Sequence, residues 1–120
     1  MFQGAKMYLA KLKADRLIAS QRLELGYELS STTAGALSVS TPVSVITTAA
    51  SETRTLADGY PGQIKILFMM TDGGDCVVTP AHLYNGDTIT FADVNDSWIG
   101  IFYAGQWHTI SGVAAVSVLG

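Results

Sequence analysis

A chain of 120 residues and 12.7 kDa is one domain's worth of material, and its 14% of charged residues is far below the usual quarter or so. The densest apolar run, residues 66–70, is much shorter than the roughly 20 residues that span a bilayer, and Lys11 and Lys13 interrupt any secretion signal. A single cysteine excludes an intrachain disulfide framework and a multi-cysteine zinc site, and the net charge of −3 excludes a general nucleic-acid binder. With 48% hydrophobic residues and a mean hydropathy of +0.30, the remaining reading is an exterior covered by other protein chains.

Charge divides the chain. Residues 1–29 carry Lys6, Lys11, Lys13, Arg16 and Arg22 against Asp15, Glu24 and Glu28, a net +2, whereas residues 30–120 carry Arg54 and Lys65 against seven acids, a net −5. Within the basic part, Ala5, Leu9 and Leu12 have helical spacing until Asp15-Arg16 breaks it. From Arg22 the chain alternates, with Leu23, Leu25, Tyr27 and Leu29 on one side and Arg22, Glu24, Gly26 and Glu28 on the other, which predicts a half-buried strand. The stretch Ser30-Ser31-Thr32-Thr33-Ala34-Gly35 reads as a linker. Residues 1–35 are therefore expected to form an N-terminal arm with its own partner, and residues 36–120 a β-domain.

From Ala36 onward, short runs rich in Val, Ile, Thr and aromatics alternate with Gly, Pro, Asn and Asp. The predicted strands are 37–40, 43–48, 63–70, 76–79, 88–91, 97–103, 106–110 and 113–119. Tyr60-Pro61-Gly62 suits a type II turn, Asp72-Gly73-Gly74-Asp75 reverses the chain, Asn85-Gly86 signals a tight hairpin, and Ala104-Gly105 joins two strands. The fold class is all-β, an antiparallel sandwich or barrel-like domain. Three of the strands are apolar on both faces. Ile64, Ile66, Phe68 and Met70 oppose Leu67 and Met69; Trp98 and Phe102 oppose Ile99, Ile101 and Tyr103; Val113 and Ala115 oppose Ala114, Val116 and Val118. An antiparallel sheet with one wet face alternates instead, so the surplus is expected to face identical neighbours.

Catalytic and metal signals are weak. His82 and His108 have no metal-ligand spacing, no nucleophile sits on a strand–turn–helix elbow, and Cys76 at the edge of an apolar strand reads as a small hydrophobe. Asp72, Asp75, Asp87, Asp93 and Asp96 lie in or beside turns, where Asp is a favoured residue, and no EF-hand spacing is present. No cofactor, metal or enzymatic activity is expected. Trp98, Trp107, Tyr84 and Tyr103 carry the rival reading, an aromatic platform for sugar rings.

Several strings carry a likeness. They are Thr55-Leu56-Ala57-Asp58-Gly59-Tyr60-Pro61-Gly62-Gln63-Ile64-Lys65, Met69-Met70-Thr71-Asp72-Gly73-Gly74-Asp75, Val77-Val78-Thr79-Pro80, Asn85-Gly86-Asp87-Thr88-Ile89-Thr90-Phe91, Asp96-Ser97-Trp98 and Gly105-Gln106-Trp107. In this order and spacing, across residues 36–120, they resemble a β-module of small tailed-bacteriophage virion proteins, notably head decoration (cement) proteins and fibre tips. The resemblance implies a homotrimer on the outer capsid surface, made in the host cytoplasm, that stabilises the shell by bridging major capsid protein subunits. Its partners would be itself and the capsid, with no nucleic acid and no membrane. The alternative is a trimeric fibre or tail-tip receptor-binding module that binds carbohydrate. The absence of a heptad seam, a collagen-like repeat and a shaft favours decoration. The expected capsid contacts are Lys6, Lys11, Lys13, Arg16, Arg22, Leu23, Leu25 and Tyr27. The expected trimer contacts are Ile66, Leu67, Phe68, Met69, Trp98, Ile101 and Tyr103.

Overall fold

A computed structural model describes residues 21–31 and 34–118. The helical spacing at Ala5, Leu9 and Leu12, with Lys6, Lys11, Lys13 and Arg16, lies outside the described residues. Ten strands follow in order: β1 (Tyr27–Ser30), β2 (Gly35–Leu37), β3 (Val43–Thr47), β4 (Glu52–Leu56), β5 (Ile64–Thr71), β6 (Cys76–Pro80), β7 (Thr88–Phe91), β8 (Ser97–Tyr103), β9 (Gln106–Gly112) and β10 (Ala115–Ser117). They form two five-stranded sheets, β1-β3-β5-β8-β9 and β10-β7-β6-β4-β2.

Both sheets are mixed, which corrects the purely antiparallel expectation. β1, β3 and β5 run parallel in the first sheet, and β2, β4 and β6 run parallel in the second. The cause is the path of the chain, which changes sheet after every strand from β1 to β6. Same-sheet neighbours are then two strands apart in sequence, and the intervening strand of the other sheet serves as the crossover that parallel pairing requires. Three two-strand coils result. Antiparallel pairing begins where the chain stays in one sheet, at β6–β7 and β8–β9, and continues at β5–β8 and β7–β10.

The core lies between the sheets. Ile46, Leu67, Met69, Trp98, Phe102 and Trp107 come from the first sheet, Leu37, Leu56, Cys76, Val78, Ile89 and Phe91 from the second, and Leu83 and Ala114 from connections. Trp107 meets Trp98 and Phe102 edge to face, with centroids 6.2 and 5.2 Å apart. Leu67, Met69 and Trp98 are fully buried here, within one subunit, and have no surface to offer a neighbour. Their expected place in a trimer contact is corrected accordingly.

Two buried cations enter the same interior. Arg54 on β4 donates to Ser30 Oγ (2.8 Å) and to the Thr47 and Thr53 carbonyls (both 3.1 Å), and pairs with Glu52 at 3.0 Å. Lys65 on β5 donates to the Ser38 and Thr41 carbonyls, both at 2.5 Å. Glu28 of β1 accepts from the Ser38 N–H (2.7 Å) and the Ser44 hydroxyl (2.5 Å). Such a network is tolerable in a core because its polar groups are bonded, Glu52 Oε1 through the Arg54 ion pair alone.

Turn chemistry follows the sequence closely at two places. Gln63 N–H bonds the Tyr60 carbonyl at 2.9 Å around Pro61 and Gly62, whose φ of 88° is the left-handed value that a type II turn requires. Ala104 and Gly105, with φ of 53° and 80°, make the two-residue β8–β9 hairpin. Asn85-Gly86, in contrast, lies inside the longer connection 81–87 and not in a tight hairpin.

Candidate functional site

The site is built from the outward side chains of the first sheet. Register aligns Tyr27, Val43, Ile66 and Ile99 in one row across β1, β3, β5 and β8, and Leu29, Val45 and Phe68 in the next. Ile64 pairs with Ile101 in a third row, with Met70 further along β5. The outer face is thus largely apolar from β1 to β8 and turns polar at the β9 edge, where Ser111 and His108 pair with Ile99 and Ile101. Tyr27 and Leu29 are 67% and 69% exposed, Met70 59% and Ile64 49%. Monomeric soluble proteins seldom expose contiguous apolar patches beyond a few hundred Å² without a binding role.

β1 supplies the sharpest local feature. Its alternation is inverted, with Glu28 and Ser30 turned toward the interior and Tyr27 and Leu29 turned toward solvent. The preceding residues Leu23 and Leu25 are also exposed, and regular strand pairing starts only at Tyr27. The half-buried strand expected from Arg22 onward is therefore shorter, and its apolar side faces outward. The reason is electrostatic: Arg54 and the Lys65 network take up the inward positions of β1 with hydrogen bonds that only polar side chains can complete. Two apolar grooves flank the 23–25 segment. One, of about 610 Å³, runs along Pro42, Ile64 and Ile66; the other, of about 480 Å³, runs along Tyr27, Val43, Val45 and Phe68. Leu23 and Leu25 line both.

The second sheet presents the opposite character. Thr53, Thr55, Thr79 and Thr90 point outward, with Ala36, Val77 and Ala115 between them. A face of hydroxyls and small groups is at ease in water. The two outer faces of one molecule therefore have different solvents in prospect.

Of the expected trimer contacts, the structure gathers Ile66, Phe68, Ile101 and Tyr103 on the apolar face, the first three half-buried and Tyr103 65% exposed. Among the expected capsid contacts, Leu23, Leu25 and Tyr27 adjoin that same face, and Arg22 is exposed with its Nε 3.7 Å from Glu24. Leu29, Val43, Ile64, Met70 and Ile99 belong to the surface and were not singled out as contacts, while Val45 in the same row is already buried. Parity along β5 held the signal: the residues sharing a side with Ile66 form one face and those sharing a side with Lys65 form the other. Lysine normally marks the wet side, and here it marks the core.

The groups that could carry chemistry are dispersed. Burial pushes the Cys76 thiol above its ordinary value, away from the thiolate that reactivity needs. The Ala49 N–H, and then Arg54, hold Glu52 below the usual carboxylate range. Burial lowers the Lys65 ammonium to about 8, with the Glu28 charge opposing the shift. Among the described residues no three His, Cys, Asp or Glu side chains come together as a metal-binding group. Trp98 and Trp107 are fully buried, so the four-membered aromatic platform does not assemble; Tyr84 and Tyr103 alone are exposed. No model of a known protein family matches the chain, and no curated protein matches it.

Proposed function

We propose that this protein is a non-enzymatic capsid decoration protein that trimerises through the outer face of its first sheet and clamps neighbouring capsid subunits. The observation that carries the reading is the largely apolar face running from β1 to β8, opposite a threonine face that needs no cover. Burying one large aliphatic or aromatic side chain contributes about 1.5–3 kcal/mol, so a handful of these residues offsets the roughly 4–15 kcal/mol of association entropy. The number three and the virion setting are taken from the resemblance of residues 36–120 to phage head proteins. The basic residues Lys6, Lys11, Lys13, Arg16 and Arg22 are assigned to acidic capsid patches.

A trimer spanning a junction stabilises the closed shell because opening the shell breaks its contacts, and each docked subunit raises the effective concentration of the others. Light scattering on a sizing column is the first test, with a trimer expected at micromolar concentration; a stable monomer refutes the reading. Incubation with capsids stripped of accessory proteins is the second. Saturable attachment that weakens as salt rises is expected, and attachment to host cells but not to capsids would favour the receptor-binding alternative.

A further inference from the structure

One end of the sandwich gathers aromatic and hydrogen-bonding groups, of which Tyr103 is shared with the assembly face. Three connections meet there: 57–63, 81–87 and the β8–β9 turn at Ala104-Gly105. Trp107 holds the first two from below. Its indole N–H donates to the Ala57 carbonyl (2.9 Å), its backbone N–H donates to the His82 carbonyl (3.0 Å), and its carbonyl accepts the Tyr84 N–H (2.9 Å). Asp58 meets His82 Nδ1 through both carboxylate oxygens at 3.0 Å, and His108 Nε2 lies 3.0 Å from the Tyr103 carbonyl oxygen. Both histidines of the chain are therefore fixed at this end.

On this base stand Tyr60, Tyr84 and Tyr103, each at least half exposed. Tyr84 and His108 stack with centroids 5.0 Å apart and planes 28° from parallel. A cavity lies on either side of the 83–86 segment. One, of about 440 Å³, is lined by Tyr84, Asn85, His108, Thr109 and Val116; the other, of about 500 Å³, has His82, Asp87 and Gln106 in its wall.

We propose that this end binds a carbohydrate, with the Tyr84–His108 pair as the stacking platform and Asn85, Gln106 and the His82–Asp58 pair as hydroxyl partners. A sugar ring has an apolar C–H face that suits a flat aromatic surface, and a rim of hydroxyls that each donate and accept. Carboxamides offer both functions at once, and a carboxylate–imidazole pair offers them side by side. Tyrosine provides large contact area at small entropic cost, and loops on a rigid scaffold are where recognition concentrates. The cavities fall in the usual range for small-ligand sites and are divided by the chain, which suits separate sugar units better than a continuous protein helix. The site borders the assembly face, which Tyr103 and Ile101, the strand neighbour of His108, both line, but its platform of Tyr84 and His108 is not among the residues assigned to assembly.

Isotope-labelled full-length protein, titrated at millimolar concentration with the methyl glycosides of galactose, glucose, mannose, N-acetylglucosamine and N-acetylneuraminic acid, tests the proposal by amide chemical shifts. At least one glycoside is expected to move the amides of 82–87 and 106–109. Tyr84→Ala should weaken that binding about tenfold, as the loss of an aromatic anchor does, while Tyr84→Phe keeps the ring and binds within about twofold of the parent. Shifts elsewhere only, no shifts with any of the five sugars, or equal binding by Tyr84→Ala would overturn it. A monomer on the sizing column would refute the assembly reading and leave this result unaffected.

Discussion

Lys65 is a fully buried ammonium whose hydrogen bonds go to two main-chain carbonyls, with the Glu28 charge close enough to raise its proton affinity. Desolvation outweighs that charge and leaves the group titrating at about 8, against 10.5 when exposed. The sign of the consequence is the reverse of the usual lysine case. Below pH 8 the group is protonated in folded and unfolded chains alike, and the cost of burying the charge is fully present. Between 8 and 10.5 the folded state gives up its proton first, so the unfolded state binds more protons and stability rises with pH. The melting temperature of the parent, relative to that of Lys65→Met, is therefore expected to rise between pH 7.5 and 10; a constant or falling difference would contradict this assignment. The variant comparison removes whatever titrations the two proteins share. Lys65 and Arg54 are the two cations of residues 30–120, and both lie in the core, so charge does not mark the wet side of β5.

At the scale of elements, β1 is the join between the leading segment and the body. It lies within the stretch read from sequence as arm and linker, yet it pairs along its whole length with β3, and its Glu28 and Ser30 complete the networks of Lys65 and Arg54. Truncation should respect that join. Removing residues 1–21 is expected to leave the fold intact by circular dichroism and melting. Extending the deletion through residue 30 takes from Arg54 its Ser30 acceptors and from Lys65 the nearby Glu28 charge, and is expected to lower stability by roughly 2–5 kcal/mol in urea unfolding.

A second constraint joins two connections. Thr48 Oγ1 donates to the Gly74 carbonyl at 2.6 Å, and Gly73 N–H bonds back to the Thr48 carbonyl at 3.0 Å. A Cβ on Gly74 would sit 2.4 Å from main-chain atoms of Ala50 and Ser51, which have no room to yield. Gly74→Ala is accordingly expected to cost about 1–3 kcal/mol or more, measured by the same unfolding. Asp72-Gly73-Gly74-Asp75 was legible as a turn, as were the turn at Tyr60 and the β8–β9 hairpin, because local backbone chemistry determines them. β4 was not legible, since Glu52 and Arg54 occupy its inward positions where a sequence reader looks for aliphatics. The parallel pairing was hidden for another reason: alternation along a strand reports which face is wet and says nothing about the direction of the strand beside it.

The whole molecule is a slab with two dissimilar faces, and the doubly apolar strands in the sequence already implied that one face would need cover. They did not say which face, because Leu67 and Met69 are as apolar as Ile66 and Phe68. Only the second sheet decides, by standing against the Leu67 side. This asymmetry makes a paired prediction. Leu29→Glu and Phe68→Glu place a charge on the apolar face at positions whose side chains are outside the core cluster, so the subunit should still fold. Each substitution removes about 1.5–3 kcal/mol of burial and adds the desolvation of a carboxylate, so light scattering should register monomers where the parent assembles. Thr55→Glu makes the same chemical change on the opposite face and should leave the assembly as it was. If all three variants assemble alike, the apolar face lies outside the contact. If Thr55→Glu alone dissociates, the subunits meet through the threonine face, and the role of each sheet is exchanged.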